Sequence, residues 1–159
     1  MARARHRVRA EIEIDAPIER VWQVLKHVDR YGAWNPFTPR VETTFRIGDP
    51  IHLHVRLRAK RVTHRVEYVT RNEPYTLGWE MKMGARFLLH AERIQALTAV
   101  DEHRTHYLTE DCFGGWLAPL VLVLYGRALE RGFGDCALGL KKAAESRGRE
   151  GAGRGRQDA

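Results

Sequence analysis

Cysteine is almost absent: Cys112 and Cys136 are the two in 159 residues, and they stand in no metal-ligand spacing. Long apolar runs are missing too. The longest, Trp116 to Tyr125, is about half of the ~20 residues that a bilayer-spanning helix needs. The arginines of the first ten residues have no apolar run behind them, so no signal peptide is expected there. The expectation is a cytoplasmic chain with reduced thiols and no transmembrane segment. There is no phosphate-cradling glycine loop, no dinucleotide fingerprint and no Ser/His/Asp order. No internal repeat appears, and nothing calls for a metal or a cofactor.

What the chain does have is positive charge, +7 in all. Arg3, Arg5, Arg7 and Arg9 supply four of these. The segment from Ser146 to Ala159 supplies two, because four arginines meet Glu150 and Asp158 there, leaving +1 for the body. Residues 1–6 and 146–159 therefore read as flexible basic tails, the second too rich in glycine and arginine to bury a core. The body, 7–145, reads as one domain. Within it Arg56, Arg58, Lys60, Arg61 and Arg65 cluster on what reads as a solvated hairpin face. Aromatic residues are not interleaved with these cations, which argues against a single-strand nucleic-acid platform. No nucleic-acid partner is expected, and the oligomer is left as monomer or homodimer.

Apolar content of 43% suits a globular fold. Its organising stretch is Gly114 to Glu145, the one segment able to make a long helix. Val121, Leu124, Tyr125, Ala128, Phe133, Cys136 and Leu140 recur at spacings of three and four and make one apolar face. Pro119 suits the first turn, Lys141 and Lys142 the last, and Ser146-Arg147-Gly148 closes the pattern. Gly126, Gly132, Gly134 and Gly139 lie inside it, marking either close packing or room for a ligand.

The rest is predominantly strand. Val8, Ala10, Ile12 and Ile14 alternate with charged residues. Asp15 is placed to cap a helix that has Pro17 in its first turn and Val21, Trp22, Leu25 and Val28 as its stripe. Asp29 caps a second short helix that stops at Asn35-Pro36. Six strands follow. Their inward rows read Val41, Thr43, Phe45, Ile47; then Ile51, Leu53, Val55, Leu57; then Val62, His64, Val66, Tyr68; then Leu77, Trp79, Met81, Met83. Arg86 to Val100 is a strand of ambiguous phase, and Arg104 to Phe113 is the last. Strands in sequence with short turns make an antiparallel sheet with its helices on one side, an α+β fold with a pocket between sheet and long helix.

The chemistry-bearing residues are few. His52 and His54 share a charged strand face and read as a surface pair, as do His103 and His106. His64 lies in an inward row, either as a satisfied core histidine or as a titrating cavity group. Asp111 shares a face with Tyr107, Thr109 and Phe113; such a row makes either an internal hydrogen-bond network or a proton-moving site. Trp34, Tyr68, Trp79, Met81, Tyr107 and Phe133 point beneath the helix, as core or as pocket lining.

Four segments, in order, resemble the SRPBCC superfamily, the START-like helix-grip proteins, in its polyketide cyclase/dehydrase branch. They are Ile14-Asp15-Ala16-Pro17 with Val21-Trp22, Trp34-Asn35-Pro36-Phe37, Glu73-Pro74 with Leu77-Gly78-Trp79, and Thr105 to Asp111 with Phe113-Gly114-Gly115 and Leu117-Ala118-Pro119. Asp111 stands where relatives carry glutamate, and Glu92 where they often carry histidine. The resemblance implies a seven-stranded antiparallel sheet curled around the C-terminal helix, with two short helices after the first strand. It implies a cavity for a small hydrophobic ligand (lipid-, polyketide- or aromatic-like) lined by Trp34, Phe45, Tyr68, Trp79, Met81, Thr109, Phe113, Tyr125 and Phe133. The alternative expectation is a cyclase or dehydratase in which Asp111, His64 and Tyr107 carry protons.

Overall fold

The computed structural model describes residues 6–58 and 61–154. Strand β1 (His6–Ile14) is followed by α1 (Ile18–Lys26), a 3₁₀ turn (Val28–Arg30) that runs into α2 (Tyr31–Trp34), and six strands. These are β2 (Arg40–Thr43), β3 (Pro50–Arg58), β4 (Arg61–Glu73), β5 (Thr76–Met83), β6 (Leu89–Ala99) and β7 (Thr105–Gly114); helix α3 (Ala118–Arg154) closes the chain. All seven strands form one antiparallel sheet in the order β1-β7-β6-β5-β4-β3-β2. The expected α+β helix-grip architecture is the one observed. The alternation in β1 places Val8 and Ile14 in the core, as its pattern requires.

The caps differ from expectation. Asp15 does not cap α1: Pro17 takes the N-cap place with no side-chain bond, and the Asp15 N–H donates to Glu145 Oε1 at 2.9 Å. Asp29 makes no cap bond either. The second strand ends at Thr43, where Phe45 takes φ 57° and the chain turns. Phe45 is still buried, whereas Ile47 is exposed. Helix α3 does not stop at Ser146 but continues to Arg154, because no proline intervenes. The remaining tail residues, 1–5 and 155–159, lie outside those described.

The largest correction is the phase of β4. Val62, His64, Val66 and Tyr68 face out, with Tyr68 54% exposed. The inward residues are Arg65, Glu67 and Val69. The cause is a bulge. Arg58 pairs with Arg61, but by Val55 the partner is Thr63, so one residue has been inserted and every later side chain changes face. Ile51, Leu53 and Val55 keep their apolar faces inward, and their partners Glu67, Arg65 and Thr63 must follow them.

Helix α3 lies against β1, β3, β7, α1 and α2. Its second half is gripped closely: Phe133, Cys136, Ala137, Leu140 and Ala144 are buried. Two glycines make this possible. A Cβ on Gly132 would overlap the Phe37 ring, and one on Gly139 would overlap the Trp34 carbonyl oxygen. The Trp34–Phe37 segment thus docks directly on the helix. The first half stands off from the sheet. Leu129 is buried, but Leu124, expected on the inner face, is 62% exposed, and Leu120 and Val123 are exposed beside it. No helix among the described residues is long and apolar enough to cross a membrane.

Candidate functional site

Where α3 stands off, a cavity of ≈ 360 Å³ opens between it and the sheet. Its helix wall is Val121, Tyr125 and Leu129; its sheet wall includes Met81, Leu89 and Phe113, with Arg61, Thr63 and Arg65 along β4. The β4–β5 ladder runs from Glu73↔Thr76 only as far as Tyr68↔Glu80. Beyond that pair β4 stays with β3 while β5 stays with β6. Among the described residues the two strands part there, which places Arg61, Thr63, Arg65, Met81 and Met83 around the mouth.

A charged layer underlies this cavity. Trp79, Arg93 and Asp111 are direct cross-strand neighbours, and Asp111 is two residues deeper along β7 than the lining residue Phe113. Arg93 is 7% exposed. Its Nε donates to Thr109 Oγ1 at 3.2 Å. Its guanidinium lies 4.2 Å from the Phe133 ring centre and 5.6 Å from those of Phe37 and Trp79. A guanidinium within about 6 Å of an aromatic ring centre is attracted by the ring's quadrupole, by roughly 0.5–2 kcal/mol. Asp111 Oδ1 is shut off from water and has no hydrogen-bond partner. Burial pushes the Asp111 carboxyl up to about 6, against the pull of the Arg93 and Arg65 charges. Burial also pushes Glu67 up to about 7; the Asp111 charge adds to the rise, and Arg65 and Arg93 oppose it. Two buried carboxyls therefore titrate near neutrality, coupled to each other. Arg65 links them to the cavity it lines.

Below this layer the interior is filled. The next space, bordered by Phe45, Trp79, Arg93 and Gln95, measures only ≈ 10 Å³, about enough for one water molecule. The Tyr107 hydroxyl donates to Gln95 Oε1 at 2.5 Å and lies 3.7 Å from Cys136 Sγ. Burial raises that phenol well above its ordinary range.

The expected site residues thus separate into groups. Met81, Phe113 and Tyr125 line the cavity. Asp111 lies beneath it. Thr109 is buried as the Arg93 acceptor, and Tyr107 sits deeper in a closed network. Phe45 and Trp79 are core, bordering only the small void. Phe133, at 1% exposure, packs edge-on to Phe37 with centres 5.7 Å apart, away from the cavity. Trp34 packs against Tyr31 and borders an outer groove, with its Nε1 buried and unpartnered. Tyr68 and His64 are exposed on the opposite face of the sheet and do not line the cavity. His64 Nε2 lies 3.1 Å from His52 Nδ1, with His54 adjacent. The proposed Asp111–His64–Tyr107 set is not assembled. Among the described residues no His/Cys/Asp/Glu group could hold a metal ion.

The sequence reading missed Glu67, Arg65 and Arg93. The signal lay in β3: its unbroken apolar alternation fixes which β4 residues must face inward once the bulge is known. Arg93 carried no such signal, since its strand had no readable phase.

The sequence matches the family described as "Polyketide cyclase / dehydrase and lipid transport" over residues 5–145. No curated protein matches it. Among solved structures, the ZhuI aromatase/cyclase from Streptomyces sp. R1128 is similar at TM-score 0.75 and 19% identity, covering 92% of this chain and 97% of that one. A START superfamily protein from Mycobacterium smegmatis is similar at TM-score 0.67 and 17% identity, covering 89% and 98%. The di-domain aromatase/cyclase BexL of the BE-7585A pathway is similar at TM-score 0.69 and 14% identity, covering 88% of this chain and 46% of that one. At these identities the likeness is one of fold.

Proposed function

Because this chain belongs to the polyketide cyclase/dehydrase and lipid transport family, we propose that it binds a small, largely apolar molecule bearing one hydrogen-bonding head group. The observation that carries this reading is the cavity of ≈ 360 Å³, apolar on the walls made by α3, β5, β6 and β7 and bordered along β4 by Arg61, Thr63 and Arg65. Its size suits a small ligand. A purely apolar ligand would leave the Arg61, Thr63 and Arg65 side of the cavity unmatched, whereas a carbonyl or hydroxyl head could accept from the guanidinium groups there. The test is saturable binding of an environment-sensitive probe such as N-phenyl-1-naphthylamine, repeated with Val121→Trp to plug the cavity. Loss of binding in the folded variant is expected. Equal binding in the plugged variant, or no saturable binding at all, would refute the reading.

A second reading, an enzyme of cyclase or dehydratase type, is favoured by one observation: two carboxyls, Glu67 and Asp111, are buried beneath the cavity that Arg65 lines, and burial pushes them up to about 7 and about 6. Groups in that range can both take and return a proton at neutral pH. Asp111 and Glu67, with Arg65 to stabilise an enolate, replace His64 and Tyr107 in the proton-carrying role. Deuterium exchange at the α-carbon of an aryl 1,3-diketone, followed by NMR, measures this directly. Acceleration that disappears in Asp111→Asn supports catalysis. Exchange at the buffer rate removes it.

A further inference from the structure

A second depression, of ≈ 610 Å³, runs along the other side of Tyr125, between the Phe37 segment and the middle of α3. Three arginines line it: Arg56 from β3, and Arg127 and Arg131 one turn apart on α3. All three are exposed, and among the described residues none makes an ion pair. Asp135 is the acidic residue of the lining, so the groove carries a surplus of positive charge. Arg127 and Arg131 repel each other at this helical spacing, and Arg56 adds a third like charge from across the groove. The arrangement is anchored: the Arg56 N–H donates to the Phe37 carbonyl at 2.8 Å, and Gly132 lets the Phe37 ring lie on the helix. Leu57 and Tyr125 belong to both the groove and the cavity described above, so the two spaces share a wall.

We propose that the Arg56–Arg127–Arg131 groove holds the phosphate group of a phosphorylated amphiphile whose apolar part passes Leu57 and Tyr125 into the cavity. Guanidinium forks match the paired oxygens of a phosphate, and a phosphomonoester brings close to two negative charges to three unpaired cations. The placement of the apolar part rests on the binding role proposed for the cavity; the anion groove does not.

Decyl phosphate and decanol serve as probes, compared by calorimetry on the wild type, on Arg56→Gln/Arg127→Gln/Arg131→Gln, and on the equally discharged control Arg30→Gln/Arg46→Gln/Lys142→Gln, whose three exposed residues line neither the groove nor the cavity. The wild type should prefer decyl phosphate by roughly tenfold or more, and the preference should shrink with added salt. The triple variant, melting as the wild type does, should lose that preference and keep its affinity for decanol; the control should keep both. Displacement by inorganic pyrophosphate points to a soluble phosphorylated ligand, and extraction of phosphatidic acid from phosphatidylcholine vesicles points to a lipid headgroup; either supports the groove. If decanol binds and the phosphate adds nothing, or if the triple variant keeps its preference, the groove proposal falls while the cavity reading stands. If pyrophosphate and decyl phosphate bind but decanol does not, the cavity reading falls and the groove stands.

Discussion

Replacing Asp111 by asparagine should stabilise this protein, and only above acid pH. The carboxyl is held at about 6 instead of its ordinary 3.8, which corresponds to about 3 kcal/mol against the ionised form in the folded state. The folded value lies above the unfolded one. The protonated group's contribution is therefore intact below pH 3.8 and is lost as the pH rises through about 6. That balance already includes the attraction of Arg93 and Arg65. Asparagine has nearly the same shape and cannot ionise, so it escapes the loss. Urea unfolding of both proteins at several pH values, compared as differences so that other carboxylates cancel, should show near-equal stability at pH 3.5. The variant should be more stable at pH 8 by about 3 kcal/mol. A second signal accompanies it. The Asp111 charge helps to raise Glu67, so the Glu67 carboxyl, followed by carbon NMR, should titrate below its present value of about 7 in the variant. A stability difference that does not change with pH, or a variant that loses stability as the pH rises, would show that Asp111 is not a buried, under-solvated acid.

Four further outcomes follow from the packing. Gly139→Ala forces a methyl group into the Trp34 carbonyl oxygen, which is backbone and cannot swing aside; thermal unfolding should show a loss of roughly 2–3 kcal/mol. Gly134→Ala meets nothing within 4 Å and should gain up to about 1 kcal/mol from helix propensity alone. Phe133→Ala should cost a full core-sized 3–5 kcal/mol, measured by denaturant unfolding, with probe uptake by the cavity unchanged, because the ring packs on Phe37 and Arg93 and does not line that cavity. His64→Ala, on the outer face, should shift stability by less than about 0.5 kcal/mol and leave probe binding untouched.

Much of the fold was legible because it depends on periodicities that residues carry by themselves. The alternation of Val8 to Ile14 and of Ile51 to Leu57 gave strands with the right face buried. The three-and-four spacing from Val121 to Leu140 gave the gripping helix, and the run of strands joined by short turns gave an antiparallel sheet covered by it. Part of the site was legible for the same reason: Asp111, Thr109 and Phe113 share a face because β7 is regular.

What the sequence could not reveal is where regularity breaks. One inserted residue between Val55 and Arg58 turned His64 and Tyr68 outward and brought Glu67 and Arg65 in; a bulge has no periodic signature, and both faces of β4 carry polar and apolar residues. Likewise the helix pattern shows which residues share a stripe but not how far the stripe lies from the sheet. That distance depends on contacts distant in sequence, Gly132 against Phe37 and Gly139 against Trp34, which pull one half of α3 close while the other stands off. The cavity and the arginine groove beside it arise from that difference, whereas the buried charges beneath the cavity are placed by strand register. Local sequence determines which side chains can face a neighbour; only the closed fold decides which neighbour is there and how much space is left between them.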